Sequence, residues 1–566
     1  MARFDPTAVR LLRMALLPLG LYLALFLALT FPLVLRSRTH LFGNEVDALA
    51  NLWGIWWVEK ALTDFHHLPL RTDYLHFPHG ITLLPQVMAL PFNGLLLFPF
   101  RDLLTLEEAY NAALVFSFVM GGLTAFWLAF HCTRAYGPSL VGGALFTFSS
   151  YHFAHADGHL NLVSLEWIPF FLLLSFRALE KPSFGRGLLA GLALVLVTTC
   201  DLYYSLFCSL ALALIVAWTM VKPPVGGLTR SHLRALLGLS SVCAVTVGPL
   251  FGAIWWMSRR DPLLGAHPPR EFSLDLLAPF IPGGHWRFHE WTAAYWSRLP
   301  GNIDESSMHV GLAVLVLAAC AVRRRSELPG GRYVGAWVLV AAVFAVLSLG
   351  PALHVVGGQI TGEWLPYAWL TTAVPPLRLT GMPVRMIVMT QLALSVLAAG
   401  GLAALLSRER GRYWAALLVV GAAFELLPRP VPTTRLPTPA YVSFLASLPE
   451  PTALLDGYSS FSHALLWQTR HEKRMAFGYV SRIPRSVSER DGIIAGAAWA
   501  GRWDEVCGRF HITHALAPVE GAAPPPPIRS LGLPPETSRP APSRRIVFDD
   551  GNMRVMALQC APGGAR

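Results

Sequence analysis

The chain has 566 residues, 54% of them hydrophobic and only 14% charged, with a mean hydropathy of +0.47 and a net charge of +11. Soluble globular domains carry about 25% charged residues, so the balance speaks against a water-soluble enzyme or binding module and for a multispanning membrane protein. The basic excess, 41 Arg and 4 Lys against 34 acids, collects in short loops between apolar segments. It marks membrane topology and no nucleic-acid partner.

Roughly 20 apolar residues cross a bilayer as a helix. By that rule about eleven segments qualify: 14–35, 108–131, 138–155, 160–179, 186–201, 203–220, 233–257, 308–322, 333–351, 384–406 and 413–428. The first is too long for a signal-peptide core and lacks a small-residue cleavage site, so it reads as a retained helix. With the N-terminus inside, the inward segments hold 17 Lys or Arg against 4 acids, while the two longest outward loops, 36–107 and 258–307, carry more acids than bases. The positive-inside rule therefore predicts a multi-pass membrane protein with a cytoplasmic N-terminus. Residues 1–429 would form the membrane domain, with outward loops 36–107, 258–307 and 352–383, and residues 430–566 a periplasmic domain. The fold class expected is an all-α polytopic membrane protein with a small α/β C-terminal domain.

In chain order, the first outward loop opens with "FGNEVDALANLWGIWW". Asn44 as a cap with Asp47 three residues on resembles a capping box, and acids suit a helix N-terminus. The helix that follows has Leu49, Leu52, Trp53, Trp56 and Trp57 on one broad face, which predicts a helix lying in the membrane interface. Glu45 and Asp47 are thus either caps or carboxylates held for chemistry at the outer surface.

The turn "SSYHFAHADGHLNLVSLEW" (149–167) places His152, His155, Asp157 and His159 within eight residues. Imidazole and carboxylate together suit zinc, manganese or iron, although a polar turn satisfying helix ends explains them equally. Glu166, a turn and a half into the next span, is an intramembrane acid and so a functional candidate; Asp201 at a later outward hinge makes a weaker claim. Further outward acids near span ends are Glu305, in "NIDESSMHVG", and Glu363.

In "LPYAWLTTAVPPLRLTGMPVRM" (365–386), Arg378 and Arg385 sit at the outer interface against the positive-inside trend. Guanidinium forks match phosphate oxygens, so a lipid-linked phosphate is their natural partner; snorkelling to headgroups is the plain alternative. The tail opens on the Pro-rich "LPRPVPTTRLPTP" and ends in "RRIVFDDGNMRVMALQ", a predicted β-hairpin with "DDGN" as its turn. "GAAPPPPIRS" reads as a polyproline-like loop. The seven Cys form no CxxC pair; Cys507 and Cys560 lie in the tail and can pair if it faces an oxidising compartment. G-x-S-x-G, H-E-x-x-H and P-loop motifs are absent from the sequence.

A first span, an outward loop opening on an acid-x-acid pair with an interfacial helix, the "FPHG" turn (77–80) and a polar turn after the third span together resemble the GT-C superfamily of membrane glycosyltransferases. The likeness is carried further by "DALANLWGIWWVEKAL", "AYNAALVFSFVMGGLTAFWLA", "HADGHLNLVSLEWIPF" and "LLWQTRHEKRMAFGYVSRIP", which are similar to uncharacterised bacterial GT-C-like proteins. The resemblance implies transfer of a sugar from a polyprenyl-phosphate-linked donor to a glycan, lipid or protein acceptor in the envelope, on the outer face of the bilayer. It puts the first-loop acid that acts as base or metal ligand on Glu45 or Asp47, of which Asp47 is the preferred candidate and Glu45 the second. His155, Asp157 and His159 would hold a divalent metal (Mg, Mn or Zn), and Arg378, Arg385 and Glu166 would bind substrate. The superfamily's oligosaccharyltransferase branch has an acid pair where this chain reads His155-Ala156-Asp157, and the tail lacks that branch's W-W-D signature. The alternative is a non-catalytic carrier, flippase or scaffold for lipid-linked glycans.

Overall fold

The computed structural model describes residues 6–86, 91–221, 228–265, 267–374, 381–519 and 544–560. The chain forms two compact units. One comprises Met1–Ser37, Asn111–Gly252 and Ala266–Pro432; the other comprises Arg38–Tyr110, Ala253–Gly265 and Thr433–Arg566.

The first unit is mostly helical. Among the described residues six helices are long and apolar enough to cross a membrane: Thr7–Thr30, Leu106–Thr133, Leu160–Glu180, Leu202–Val221, Gly331–Ser348 and Pro383–Leu406. Arg230–Val245 and Val247–Arg260, bent by 43° at their junction, make a seventh if taken as one span. Phe184–Cys200 and Leu312–Arg323 are apolar but shorter. The sequence count of eleven is therefore not matched, because apolar stretches break into pieces too short to span. Segment 138–155 is split into Tyr136–Thr147 and Ser150–His155, and segment 413–428 forms Gly411–Glu425.

Pro383–Leu406 is the central helix, almost wholly buried, packed by Leu312–Arg323, Gly331–Ser348 and Tyr136–Thr147. Glycine permits one of these approaches: a Cβ on Gly401 would stand 1.8 Å from the Leu317 carbonyl oxygen, so any side chain there would push the two helices apart.

The second unit joins the first loop to the tail. Asp47–Thr63 is a helix buried on nearly every face, not one lying open in the interface plane. Trp53, Trp56 and Trp57 pack with Tyr74, Leu465 and Met475. Trp53 Nε1 donates to Gln468 Oε1 at 2.7 Å, and Gln468 Nε2 donates to the carbonyls of Tyr74 and Lys473. The charged end of Lys60 is held by Asp64 at 2.8 Å and Glu472 at 2.7 Å. The aromatic face that suggested a lipid contact is thus covered by the helix Phe461–His471 and its flanks. This is why residues 38–110 group with the tail.

A five-stranded mixed sheet completes the unit, in the order Arg544–Asp549, Met553–Leu558, His514–Pro518, Ala453–Leu455, Arg474–Met475. Its first two strands are the hairpin expected around "DDGN": Gly551 takes φ +82°, and Asp549 and Asp550 accept backbone N–H groups within the turn. Cys507 and Cys560 form a disulfide, their Cα atoms 5.3 Å apart. "GAAPPPPIRS" lies outside the described residues.

His471, buried at the end of Phe461–His471, accepts the Lys473 backbone N–H at Nδ1 (2.9 Å). Burial, and secondarily the Lys473 ammonium, push it down to about 3 from its ordinary value near 6.5. The unfolded chain then binds the extra proton first, so stability falls as pH drops from about 6.5 to about 3. An asparagine can offer the same acceptor without titrating. His471→Asn is expected to flatten the acid limb of the stability–pH curve, measured by thermal unfolding across that range.

Candidate functional site

The polar centre of the membrane-type unit is assembled where its helices break. Ser149, at the start of Ser150–His155, accepts the His152 N–H. The chain then turns through Asp157 before Leu160–Val163. From residues 258–307 come two more contributors. His285 follows Gly283 and Gly284, whose backbone lies so close to residues 303–307 that a Cβ on Gly283 would meet the Ser307 Cα at 2.7 Å. Asp304 sits in the short helix Ile303–Ser306, capped by Asn302, which accepts the Glu305 N–H at 2.9 Å. Arg429 arrives after Gly411–Glu425, its backbone N–H donating to the His285 carbonyl at 2.9 Å.

These elements bring Asp157, His285 and Asp304 together, all buried, with one potential ligand atom from each lying within 4.8 Å of the others. His285 Nε2 is 2.9 Å from Asp304 Oδ1, and His285 Nδ1 is 3.7 Å from Asp157 Oδ2. The Arg429 guanidinium donates to Asp157. Burial raises the Asp157 carboxyl above the usual range, against the opposing pull of His285 and Arg429. For Asp304, burial acts in the same direction but is outweighed by the hydrogen bond and charge of His285, helped by His159 and Arg429, and the carboxyl is held low. Two like carboxyls are thus shifted in opposite directions, Asp157 up and Asp304 down.

Of the residues singled out in the sequence, Asp157 is in this cluster. His155 and His159 are beside it, their rings 5.3 Å apart and edge to face. Both ring nitrogens of His155 are buried without a hydrogen-bond partner. His285 and Asp304, not His155 and His159, are the groups that meet Asp157. His152 is structural: its ring stacks on Phe118 at 3.7 Å and its nitrogens lie 2.7 and 2.9 Å from the carbonyls of Thr147 and Val163.

Arg385 is buried, its Nε donating to Glu305 Oε1 at 2.9 Å, so its charge is committed to an internal ion pair that anchors the Asp304 helix. Glu166 is fully buried at the break before Trp167–Glu180 and accepts from Ser117 Oγ at 2.7 Å. Arg378 lies outside the described residues. Asp47 and Glu45 belong to the other unit. There Asn44 Oδ1 accepts the N–H groups of Val46 and Asp47, and Glu45 is exposed, 3.9 Å from His463.

His285, Asp304 and Arg429 are the residues that reading along the chain missed. The available signals were "PGGHW", a double glycine before a histidine, and the Asn302 cap in "NIDES". Nothing in either said that they face Asp157.

Residues 17–425 match the model of the family described as "Domain of unknown function (DUF6311)". The chain belongs to this family. No curated protein matches it. Among solved structures, the arabinofuranosyltransferase AftD from Mycobacteria is similar over 96% of this chain, with a TM-score of 0.59 and 13% identity; this chain covers 41% of AftD's length. The oligosaccharyltransferase AglB from Archaeoglobus fulgidus, in complex with an inhibitory peptide and a dolichol-phosphate, is similar over 89% of this chain and 69% of its own, at 10% identity and a TM-score of 0.48. ArnT from Cupriavidus metallidurans in the apo state is similar over 95% and 97%, at 15% identity and a TM-score of 0.43. AftD is a GT-C superfamily member, and this chain shares its fold. At such identities the likeness, which AftD carries, is one of fold.

The buried Arg385–Glu305 pair predicts an asymmetric response. Removing one partner strands a buried charge, at a cost of about 3–5 kcal/mol. Arg385→Met is expected to lose that much in detergent unfolding, and Arg385→Met/Glu305→Gln to recover most of it.

Proposed function

We propose that the protein is a GT-C-type glycosyltransferase. It moves a sugar from a polyprenyl-phosphate-linked donor to an envelope acceptor on the outer face of the bacterial inner membrane. The observation that carries this reading is the buried Asp157–His285–Asp304 cluster with Arg429, built at the helix breaks of a fold similar to that of AftD. The Cys507–Cys560 disulfide favours an oxidising compartment for the tail.

In the transfer an acceptor oxygen bonds to the anomeric carbon, and the bond from that carbon to the donor's phosphate oxygen breaks. The lipid phosphate leaves with the electron pair, and a carboxylate takes the acceptor's proton, a contribution of about 10²–10⁴-fold. The resemblance assigns that base to Asp47, with Glu45 second, a role that Asp47→Asn tests by itself. Arg429, only partly buried, supplies positive charge beside Asp157. Arg385 acts as a positioning residue, since its ion pair holds the helix that carries Asp304.

The donor set, two carboxylates and an imidazole, fits a divalent ion such as Mn or Zn. The unpartnered buried nitrogens of His155 in the adjoining turn point the same way. Asp157, His285 and Asp304 would hold it, and a bound ion would supply charge stabilisation for a departing phosphate.

In proteoliposomes with a polyprenyl-phosphate sugar, Asp157→Asn and Asp304→Asn are expected to lower transfer at least a hundredfold. They should also lower bound Mn or Zn, by elemental analysis, by more than the roughly 10–100-fold typical of an outer-shell loss. Wild-type transfer untouched by these substitutions would refute the site. Lipid movement without transfer would instead favour a carrier.

A further inference from the structure

A second polar feature lies at the other end of the same helices. The first apolar helix runs as Pro6–Leu11, a π-helical turn Leu12–Leu16, then Leu17–Thr30. A π turn disturbs the i→i−4 ladder and is often found where function requires it. Here two side chains from elsewhere take carbonyls of this turn: Trp127 Nε1 donates to Met14 at 2.6 Å, and the Tyr136 hydroxyl donates to Arg13 at 2.6 Å. The helix is also held by Tyr22, whose hydroxyl donates to the Leu140 carbonyl at 3.0 Å, but it is otherwise loosely covered, with 17% of its apolar window buried.

Between this helix, Leu106–Thr133 and Trp167–Glu180 the structure leaves an open groove of about 550 Å³. Trp127, Phe130 and Phe170, all half-buried, give it an apolar wall, and Arg10, Arg134 and Arg177 stand exposed around it. None of the three arginines has an ion-pair partner among the described residues. Glu180, beside the groove-lining His131, is already taken, lying 3.3 Å from His131 and 2.7 Å from Arg332. Arg177 occupies the last turn of Trp167–Glu180, whereas Asp157 precedes the other end of that segment, so this groove is separate from the Asp157 centre.

Three unpaired guanidiniums at an aromatic-walled cleft between membrane helices match one ligand chemistry: a phosphate head on an acyl chain. Isolated arginines at a membrane surface meet headgroups diffusely and need no cavity. Here the cavity and the charges coincide. We propose that the groove binds one anionic phospholipid, its phosphate held by Arg10, Arg134 and Arg177 and an acyl chain lying along Trp127, Phe130 and Phe170. The bound lipid would complete the packing of the first helix. This site does not depend on the transferase reading.

The test is lipid retention by the full chain, extracted from nanodiscs of mixed phosphatidylcholine and phosphatidylglycerol and read by native mass spectrometry. Wild type should keep phosphatidylglycerol in preference. Each basic residue near an anionic lipid is worth about a fivefold preference, so Arg10→Gln/Arg134→Gln/Arg177→Gln should weaken that preference about tenfold or more. Arg323→Gln/Arg325→Gln/Arg410→Gln, which removes three exposed arginines outside the groove, should leave it intact. Equal loss in both triple variants would mean diffuse surface charge and overturn the site. Ala15→Phe keeps the arginines but fills the groove, and undiminished retention in that variant would overturn the acyl-chain placement. Stripping of the lipid by inorganic phosphate would reassign the site to a free anion and overturn the lipid proposal. Should a triple variant not elute as a folded species, Arg134→Gln and Arg177→Gln singly carry the same comparison.

Discussion

Wherever a helix stops inside the apolar unit, its terminal N–H and C=O groups face hydrocarbon or protein and no water. Each stop must therefore bring its own polar partners. At 148–149 the Ser149 hydroxyl caps the next helix. At 163–166 Ser117 Oγ accepts the Leu165 N–H and bonds to Glu166. At 201 one carboxylate oxygen of Asp201 accepts the Tyr203 N–H at 2.7 Å, while the other accepts from Asn161 at 2.8 Å. The breaks cost spanning length and return buried polar groups at fixed positions.

The candidate site is a product of that constraint. Asp157 is carried by one break, Asp304 by a capped half-turn, and His285 by a glycine-permitted close approach. Because these backbones are held by internal bonds, the carboxylates are pre-positioned and cannot relax towards water. That is the condition under which charge acts strongly on a developing anion. The same burial raises Asp157, whereas the imidazole beside Asp304 keeps that carboxyl low.

The two units solve different problems. The membrane-type unit buries small-residue helix faces around Pro383–Leu406. The other buries aromatic rings, and its Trp cluster is closed by Gln468, which joins the indole of Trp53 to two backbone carbonyls. Arg385 illustrates how an ionisable residue in an apolar stretch can serve structure. Arg385 and Glu166 were each a fair functional candidate from sequence; Arg385 is paired with Glu305, whereas Glu166 accepts from Ser117 at Oε2 and keeps Oε1 buried without a hydrogen-bond partner.

Much could be read along the chain. Hydropathy marked most of the long helices, and the DDGN hairpin followed from local turn chemistry; Asn44 accepts the Val46 and Asp47 N–H groups, although the helix begins at Asp47 with Val46, not Asn44, as its N-cap. The GT-C likeness rested on short stretches whose fold the AftD comparison bears out. These features are local, set by neighbours within a few residues. What sequence could not decide was pairing across long separations. Asp157 meets His285 and Asp304, 128 and 147 positions away, because buried charges take whichever partners packing delivers. The tryptophan face of Asp47–Thr63 looked ready for lipid, since nothing in its own residues distinguishes a bilayer from a protein neighbour. Only the tertiary fold, by placing Phe461–His471 against it, chose between them.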